Sequence, residues 1–452
     1  MGSAAQRRLE SSCRTHAPRQ SPTVGWGDGR GSSKGSRVTA IVPTARYRGV
    51  ILAMLLLVYT FNFVDRQILG ILAPAIQREL LLSDTQMGLL GGLAFAILYS
   101  TLAIPLAWLA DKTSRTRVIT VSLAVWSGFT ALCGAATGFW QLFLFRLGVG
   151  VGEAGGVAPS YALIADYFPA GRRACALAIY SLGIPLGSAA GVMAGGWIAQ
   201  TVDWRTAFYA VGIAGVLLAP VFALVVREPV RAKQPAGAAP IGRVFAILAA
   251  KRSFWFLSFG AASSSMLGYG LAFWLPSLMK RSFGLDLIDT GRFYGALLLL
   301  GGVAGVLAGG FIGDRLGARD RGAYAKLPAI CFWIAVPLFA AGILSQSTWA
   351  AFLFFLVPQA LVYVWLAPVN AAIQHLVPAH MRATASATFL LINNMIGLGA
   401  GTLVLGVLSE AMKARFGDES LRYAMLSGLG LYLLAGVLMA LAVKPLRRDW
   451  VD

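Results

Sequence analysis

A chain of 452 residues that is 57% hydrophobic and only 13% charged is too apolar for a soluble domain, in which roughly 25% of residues carry charge. Its formal net charge of +19 would suit nucleic acid if it were clustered, but the 38 Lys and Arg are scattered over short loops and one tail, so the expected surroundings are a bilayer and not a polyanion. Four dispersed cysteines without CxxC spacing exclude a disulfide framework and point to reduced, packed thiols.

Residues 1–48 are rich in Gly, Ser and Arg and lack an apolar segment, which reads as a disordered basic cytoplasmic tail and not as a secretory signal. From 49 onward, apolar stretches near the ~20 residues needed to cross a bilayer as a helix recur twelve times. The first six cover roughly 49–76, 84–108, 117–137, 140–165, 172–199 and 205–226. A polar stretch with Pro229, Pro235 and Pro240 makes 227–252 a cytoplasmic linker. The last six cover 253–279, 291–313, 326–344, 348–375, 382–409 and 421–443, and 444–452 reads as a second cytoplasmic tail. Continuously apolar runs such as 301–311 exclude a β-barrel, whose strands alternate. The excess of Lys and Arg on one face places both termini in the cytoplasm.

The chain repeats itself. Leu109-Ala110-Asp111-Lys112 after the second helix matches Ile312-Gly313-Asp314-Arg315 after the eighth, the two aspartates standing 203 residues apart. Pro169-Ala170-Gly171-Arg172-Arg173 before the fifth helix matches Pro378-Ala379-His380-Met381-Arg382 before the eleventh at a spacing of 209. Two independent pairs at nearly one spacing imply two pseudo-symmetric six-helix bundles, 49–226 and 253–443. This all-α organisation is that of a major facilitator carrier, with its site at mid-membrane between the bundles. The Asp-basic loop resembles that superfamily's signature, with Ala107 and Ser114 where glycines are usual.

Ionisable groups inside lipid-spanning helices are costly and mark function. Four stand out: Asp65 and Arg66 in the first helix, Arg146 and Glu153 in the fourth. Asn62, Asp65 and Arg66 share a helix face at i, i+3 and i+4, and Arg146, Gly150 and Glu153 form a stripe on the fourth helix. Helix lengths allow Asp65 and Arg146 to meet in the outer half of the membrane, with Glu153 deeper. Asp65 and Glu153 are the candidate proton carriers. Arg66, Arg146 and Asn62 are candidate charge partners or substrate ligands, and the competing reading is a fixed ion-pair network. Asp111, Arg115 and Arg173, with Asp314, Arg315 and Arg382, form a candidate cytoplasmic gate. The glycines from Gly183 to Gly196 read as a packing face. Asn370, Asn393, Asn394, Gln359 and Tyr269 line a cavity or bond between helices, and Trp108, Trp140, Trp197, Trp204 and Trp349 form an interfacial belt. No metal constellation, cofactor motif or nucleophile–base set appears, so neither an enzyme nor a cofactor is expected, and protons on Asp65 and Glu153 are the expected coupling ion.

Asn62-Phe63-Val64-Asp65-Arg66 and Gly152-Glu153-Ala154-Gly155, with Asp166-Tyr167-Phe168-Pro169, Arg172-Arg173 and Tyr180-Ser181-Leu182-Gly183-Ile184-Pro185-Leu186-Gly187, resemble the spinster family over about 49–443. The resemblance implies a proton-linked, monomeric carrier of amphipathic lipids such as sphingosine-phosphate or lysophospholipid-like molecules, with functional positions at Asp65, Arg66, Arg146 and Glu153. An organic-anion symporter of the sugar-acid type shares the Asn-x-x-Asp-Arg and Glu-Ala-Gly patterns and stands as the alternative. A non-cycling receptor or scramblase is the second.

Overall fold

The computed structural model describes residues 44–229, 241–378 and 381–451. Most of the expected N-terminal tail, with Cys13 and His16, the 230–240 part of the linker, and His380 lie outside these. Among the described residues, twelve helices make up the two halves. In the first half they are α1 (Ala45–Leu80), α2 (Asp84–Lys112), α3 (Arg115–Gly134), α4 (Phe139–Tyr167), α5 (Ala170–Ser181 and Gly183–Thr201) and α6 (Trp204–Val225). In the second half they are α7 (Arg252–Phe283), α8 (Leu287–Gly317), α9 (Ala323–Leu344), α10 (Thr348–Gln374), α11 (Arg382–Asn393, continued to Phe416) and α12 (Ser420–Gly428 and Gly430–Asp449). An even number of crossings returns residue 44 and Asp449 to one face, here the terminal face.

Turn chemistry sets the ends. Thr44 caps α1 by accepting from the Tyr47 N–H, Ser83 and Gln86 form a capping box at α2, and Asp203 and Asp286 cap α6 and α8. Gly284 and Gly417, at φ 68° and 56°, end α7 and α11 in conformations that L side chains resist.

Three boundaries differ from the sequence reading. Helix α1 begins at Ala45, within the expected tail. The linker carries a short helix, Ile241–Ala249, bent 93° from α7. Helix α12 runs to Asp449, so 444–449 is not a tail. Arg447 pairs with Asp320 at 2.6 Å, a bond that holds the Asp320 carboxyl below its ordinary pKa. The Asp449 carboxylate accepts from Ser253 Oγ at 2.5 Å, and Lys251 donates to the Asp449 carbonyl at 2.6 Å. These anchors extend the helix past the apolar core.

The halves meet mainly towards the face opposite the termini. There α7 packs on α1, α8 on the Gly183–Thr201 part of α5, and α11 on α2. The terminal-face parts of α4, α5, α8 and α11 pack chiefly within their own half. At the boundary, α8 and α11 each carry a π-helical turn, Leu298–Gly302 and Asn394–Leu398, a feature common at functional sites. Within the first half, the glycine face of α5 lies on α1: a Cβ at Gly191 would meet Val64 Cα at 2.9 Å, and one at Gly195 would meet Ile68 and Ile71 at 3.0 Å. This is close helix packing, as small-residue faces allow.

Candidate functional site

Helix α1 presents Asn62, Asp65 and Arg66 on one face, and α4 presents Arg146 and Glu153 two turns apart. The fold brings the two sets together. Asn62, Asp65, Arg146 and Glu153 are 2% exposed or less. Arg66 Nε donates to Glu153 Oε2 at 2.7 Å, and Arg146 Nη1 faces Asp65 Oδ1 at 3.4 Å. Two acid–arginine pairs therefore tie α1 to α4. The first is tight and the second stands at the long limit of a hydrogen bond. Glycines seat α4 against the other two helices around the cluster: Gly150 leaves no room for a Cβ against the Phe95 carbonyl of α2, and Gly152 is as close to Trp126 of α3.

Four polar atoms of this cluster have no hydrogen-bond partner among the described residues: Asn62 Oδ1, Arg66 Nη2, Arg146 Nε and Glu153 Oε1. Buried polar groups are normally satisfied, so the cluster has free valence for a ligand, water or a proton. Arg66 sits in an aromatic cage, its guanidinium carbon 4.6 Å from the Tyr99 ring centre, 4.9 Å from Phe95 and 5.1 Å from Phe63. The Arg146 guanidinium carbon lies 5.5 Å from the Phe95 ring centre. Such cation–π contacts suit a desolvated guanidinium.

A cavity between the halves opens on this cluster. Phe63, Arg66, Gln67, Phe95 and Arg146 line it from the first half, and Tyr269, Phe273, Leu398 and Thr402 from the second. It is amphipathic: phenyl rings surround two cations. Of the polar residues expected in the second half, Tyr269 reaches the cavity. Asn393 accepts from Ser265 of α7 at 2.9 Å and Asn370 donates to the Leu366 carbonyl at 2.6 Å, so these bond within the protein.

The expected gate residues divide. Arg115 bridges Asp111, at 2.7 Å, and Asp166, tying α2, α3 and α4 together at the terminal face. Arg173 instead donates to the Phe168 carbonyl at 3.0 Å. Asp314 and Arg315 are exposed, and among the described residues Asp314 makes no ion pair with Arg319 or Arg382. Arg382 lies 3.4 Å from His375 Nδ1. None of these pairs crosses between the halves, because the halves are parted at this face.

The crossing lies at the opposite face, where the sequence reading placed nothing. Arg281 of α7 binds both carboxylate oxygens of Asp84 of α2, at 2.6 and 2.9 Å. Ser409 of α11 donates to Asp84 at 2.7 Å, and the Asp84 N–H donates to Glu410 at 3.0 Å. Beneath this latch, Thr402 Oγ1 donates to the Gly88 carbonyl at 2.7 Å. The only sequence signals were the Ser83–Gln86 box and the Gly88, Gly91, Gly92 spacing. Thr130 of α3, which donates to Asp65, was also missed, since one threonine among many carries no mark. Trp204, expected in the interfacial belt, is instead buried and donates to Glu79 at 2.5 Å.

Two six-helix halves around a central cavity, packed together at one face and parted at the other, have the organisation of a membrane transporter. The chain belongs to the Major Facilitator Superfamily, whose family model matches residues 55–402. It is 36% identical to an "MFS-type efflux pump" of Mycolicibacterium smegmatis over 88% of this chain and 93% of that protein. Among solved structures it is similar to a bacterial homolog of the human lysosomal transporter spinster in an inward-facing, unoccupied conformation. That likeness has a TM-score of 0.82 and 29% identity, over 90% of this chain and 99% of that one. It is also 27% identical to the "Probable galactarate/D-glucarate transporter" of Bacillus subtilis, over 66% of this chain and 70% of that protein. The spinster resemblance and the twelve-helix fold expected from sequence thus hold, and the protein is a transporter and not an enzyme.

Proposed function

We propose that the protein is a proton-coupled secondary carrier that moves an amphipathic, lipid-like substrate of the sphingolipid or lysophospholipid kind by alternating access. The observation that carries this reading is a pair of buried acid–arginine contacts whose arginines, Arg66 and Arg146, line the cavity between the halves while Asp65 and Glu153 stand behind them. A carboxylate beside a guanidinium favours the ionised form, whereas burial favours the neutral one. Asp65 and Glu153 are therefore poised to bind protons when their partners are drawn away. A proton on Glu153 weakens its bond to Arg66 and frees that cation for an anionic head group, while Phe63, Phe95 and Phe273 meet an apolar tail. Asn62 keeps its place as a polar neighbour of the pair.

The basic terminal face is cytoplasmic by the positive-inside rule, which makes the conformation in hand inward-facing. A bacterial inner membrane, a single working copy, and Asp111, Arg115, Arg173, Asp314, Arg315 and Arg382 as a cytoplasmic gate that closes in the outward-facing form complete the proposal. The second reading, a proton-coupled organic-anion symporter, has its own support. Arg66 and Arg146 both line the cavity with a free nitrogen, and the Bacillus relative is named for sugar acids.

Purified protein titrated at acidic and neutral pH with 1-oleoyl lysophosphatidic acid and with D-glucarate separates the readings. The lipid reading expects saturable binding of the lysolipid, weakened at least tenfold by Asp65→Asn or by the change of pH. Saturable binding of glucarate alone would replace it with the symporter. A non-cycling receptor or scramblase would bind or pass lysolipid identically at both pH values.

A further inference from the structure

We infer that Thr130 is the positioning residue that lets Asp65 gain and lose a proton without leaving either state unsatisfied. This rests on the proton-coupled reading above. Thr130 is fully buried on α3. Its single hydroxyl stands within hydrogen-bond reach of two acceptors, the Trp126 carbonyl one turn earlier at 2.9 Å and Asp65 Oδ2 on α1. A hydroxyl has one proton to give and two lone pairs to receive. It can satisfy only one of these acceptors as a donor at any moment.

That shortage is what a titrating partner needs. With Asp65 ionised, the Thr130 hydroxyl donates to Oδ2, and the Trp126 carbonyl keeps its backbone helix bond. With Asp65 protonated, the new carboxyl O–H donates to Thr130 Oγ1, and the hydroxyl turns to donate to the Trp126 carbonyl. The coupling proton comes and goes on Asp65 alone, Thr130 keeps its own, and every O–H has an acceptor in both states. The other groups facing Asp65 cannot do this. Arg146 and Arg66 only donate. Glu153 repels the charge, and the Cys133 thiol, buried on the next turn of α3, is a weak donor. Arg146 also stands off at 3.4 Å, which leaves the hydroxyl as the closest polar contact of the carboxyl group.

Infrared difference spectra of the purified full chain, recorded through a pH titration, test this without any substrate. The carboxyl C=O band of Asp65 is assigned by its loss in Asp65→Asn. In Thr130→Val, which keeps the shape, the band is expected to move to higher frequency and its midpoint to move by about one pH unit. Thr130→Ala, which removes the hydroxyl without branching, must move it likewise, and Thr130→Ser must overlay the wild type. A Thr130→Val titration identical to wild type would overturn the role of Thr130 while leaving the proton site standing. Absence of any Asp65-dependent band in the wild type would remove the proton reading itself, and this inference with it.

Discussion

Glu153→Ala is expected to lower the stability of the purified protein by about 3–5 kcal/mol, because it leaves the Arg66 guanidinium buried without its counter-charge. The bond lost is the 2.7 Å contact between α1 and α4, with the Glu153 side chain fully buried and Arg66 nearly so. The aromatic cage of Phe63, Phe95 and Tyr99 offsets only part of this, since an exposed-to-desolvated cation–π contact is worth roughly 0.5–2 kcal/mol. Replacing both partners by apolar residues of similar size, Arg66→Met with Glu153→Leu, should recover most of the stability, as it does for other buried pairs. Thermal unfolding in detergent measures this part. The transport assay gives the decisive comparison. If the pair only fixes α1 against α4, the stable double variant transports as well as the wild type. If Glu153 carries protons or Arg66 receives the head group, the double variant is folded and inactive, and Glu153→Gln, which keeps Arg66, tells the two apart.

Gly92→Val is expected to hold the halves apart at the face opposite the termini and to cut transport at least tenfold. Gly92 stands where α2 crosses α11. A Cβ there would meet the Gly399 carbonyl at 2.8 Å and the Leu398 carbonyl at 3.1 Å, besides the Thr402 hydroxyl. These are mostly backbone atoms that cannot step aside. Overpacking of this kind costs about 1–3 kcal/mol, and about 1.4 kcal/mol already changes a two-state ratio tenfold. The cost falls only on the form closed at that face, so the population moves to the other form. Spin labels at Val202 and Gln346, one in each half beside this face, should show a longer and broader distance distribution in the variant. An unchanged distribution with full transport would mean that the seam is not part of the cycle.

The parts legible in the sequence were those fixed by transfer free energy and by repetition. Lipid-length apolar runs gave the twelve helices, and the paired motifs at Asp111 and Asp314 gave the two halves. The cost of burying charge gave Asp65, Arg66, Arg146 and Glu153, and helix periodicity placed them on facing stripes that do meet. What escaped depends on which helices touch, and in which conformation. Arg281 and Asp84 look like ordinary loop charges until α7 is seen beside α2. Thr130 becomes a partner of Asp65 only once α3 packs against α1. Asp314 and Arg382, read as parts of a cytoplasmic gate, stand unpaired with one another, and any pairing across this face belongs to a form in which the halves have closed there. Residues 444–449 read as a tail because they are charged, and only the contacts of Arg447 with Asp320 and of Asp449 with Ser253 explain why they stay helical.

Substrate-driven proton movement in sealed liposomes bears most directly on the whole account. With a pH-sensitive dye trapped inside and no gradient imposed, adding 1-oleoyl lysophosphatidic acid or D-glucarate outside should change the internal pH in vesicles holding the wild-type protein. The same additions should leave it flat with Asp65→Asn or Glu153→Gln. Uptake of either compound at wild-type rate with no change of internal pH would contradict the claim that these carboxyl groups carry the coupling ion.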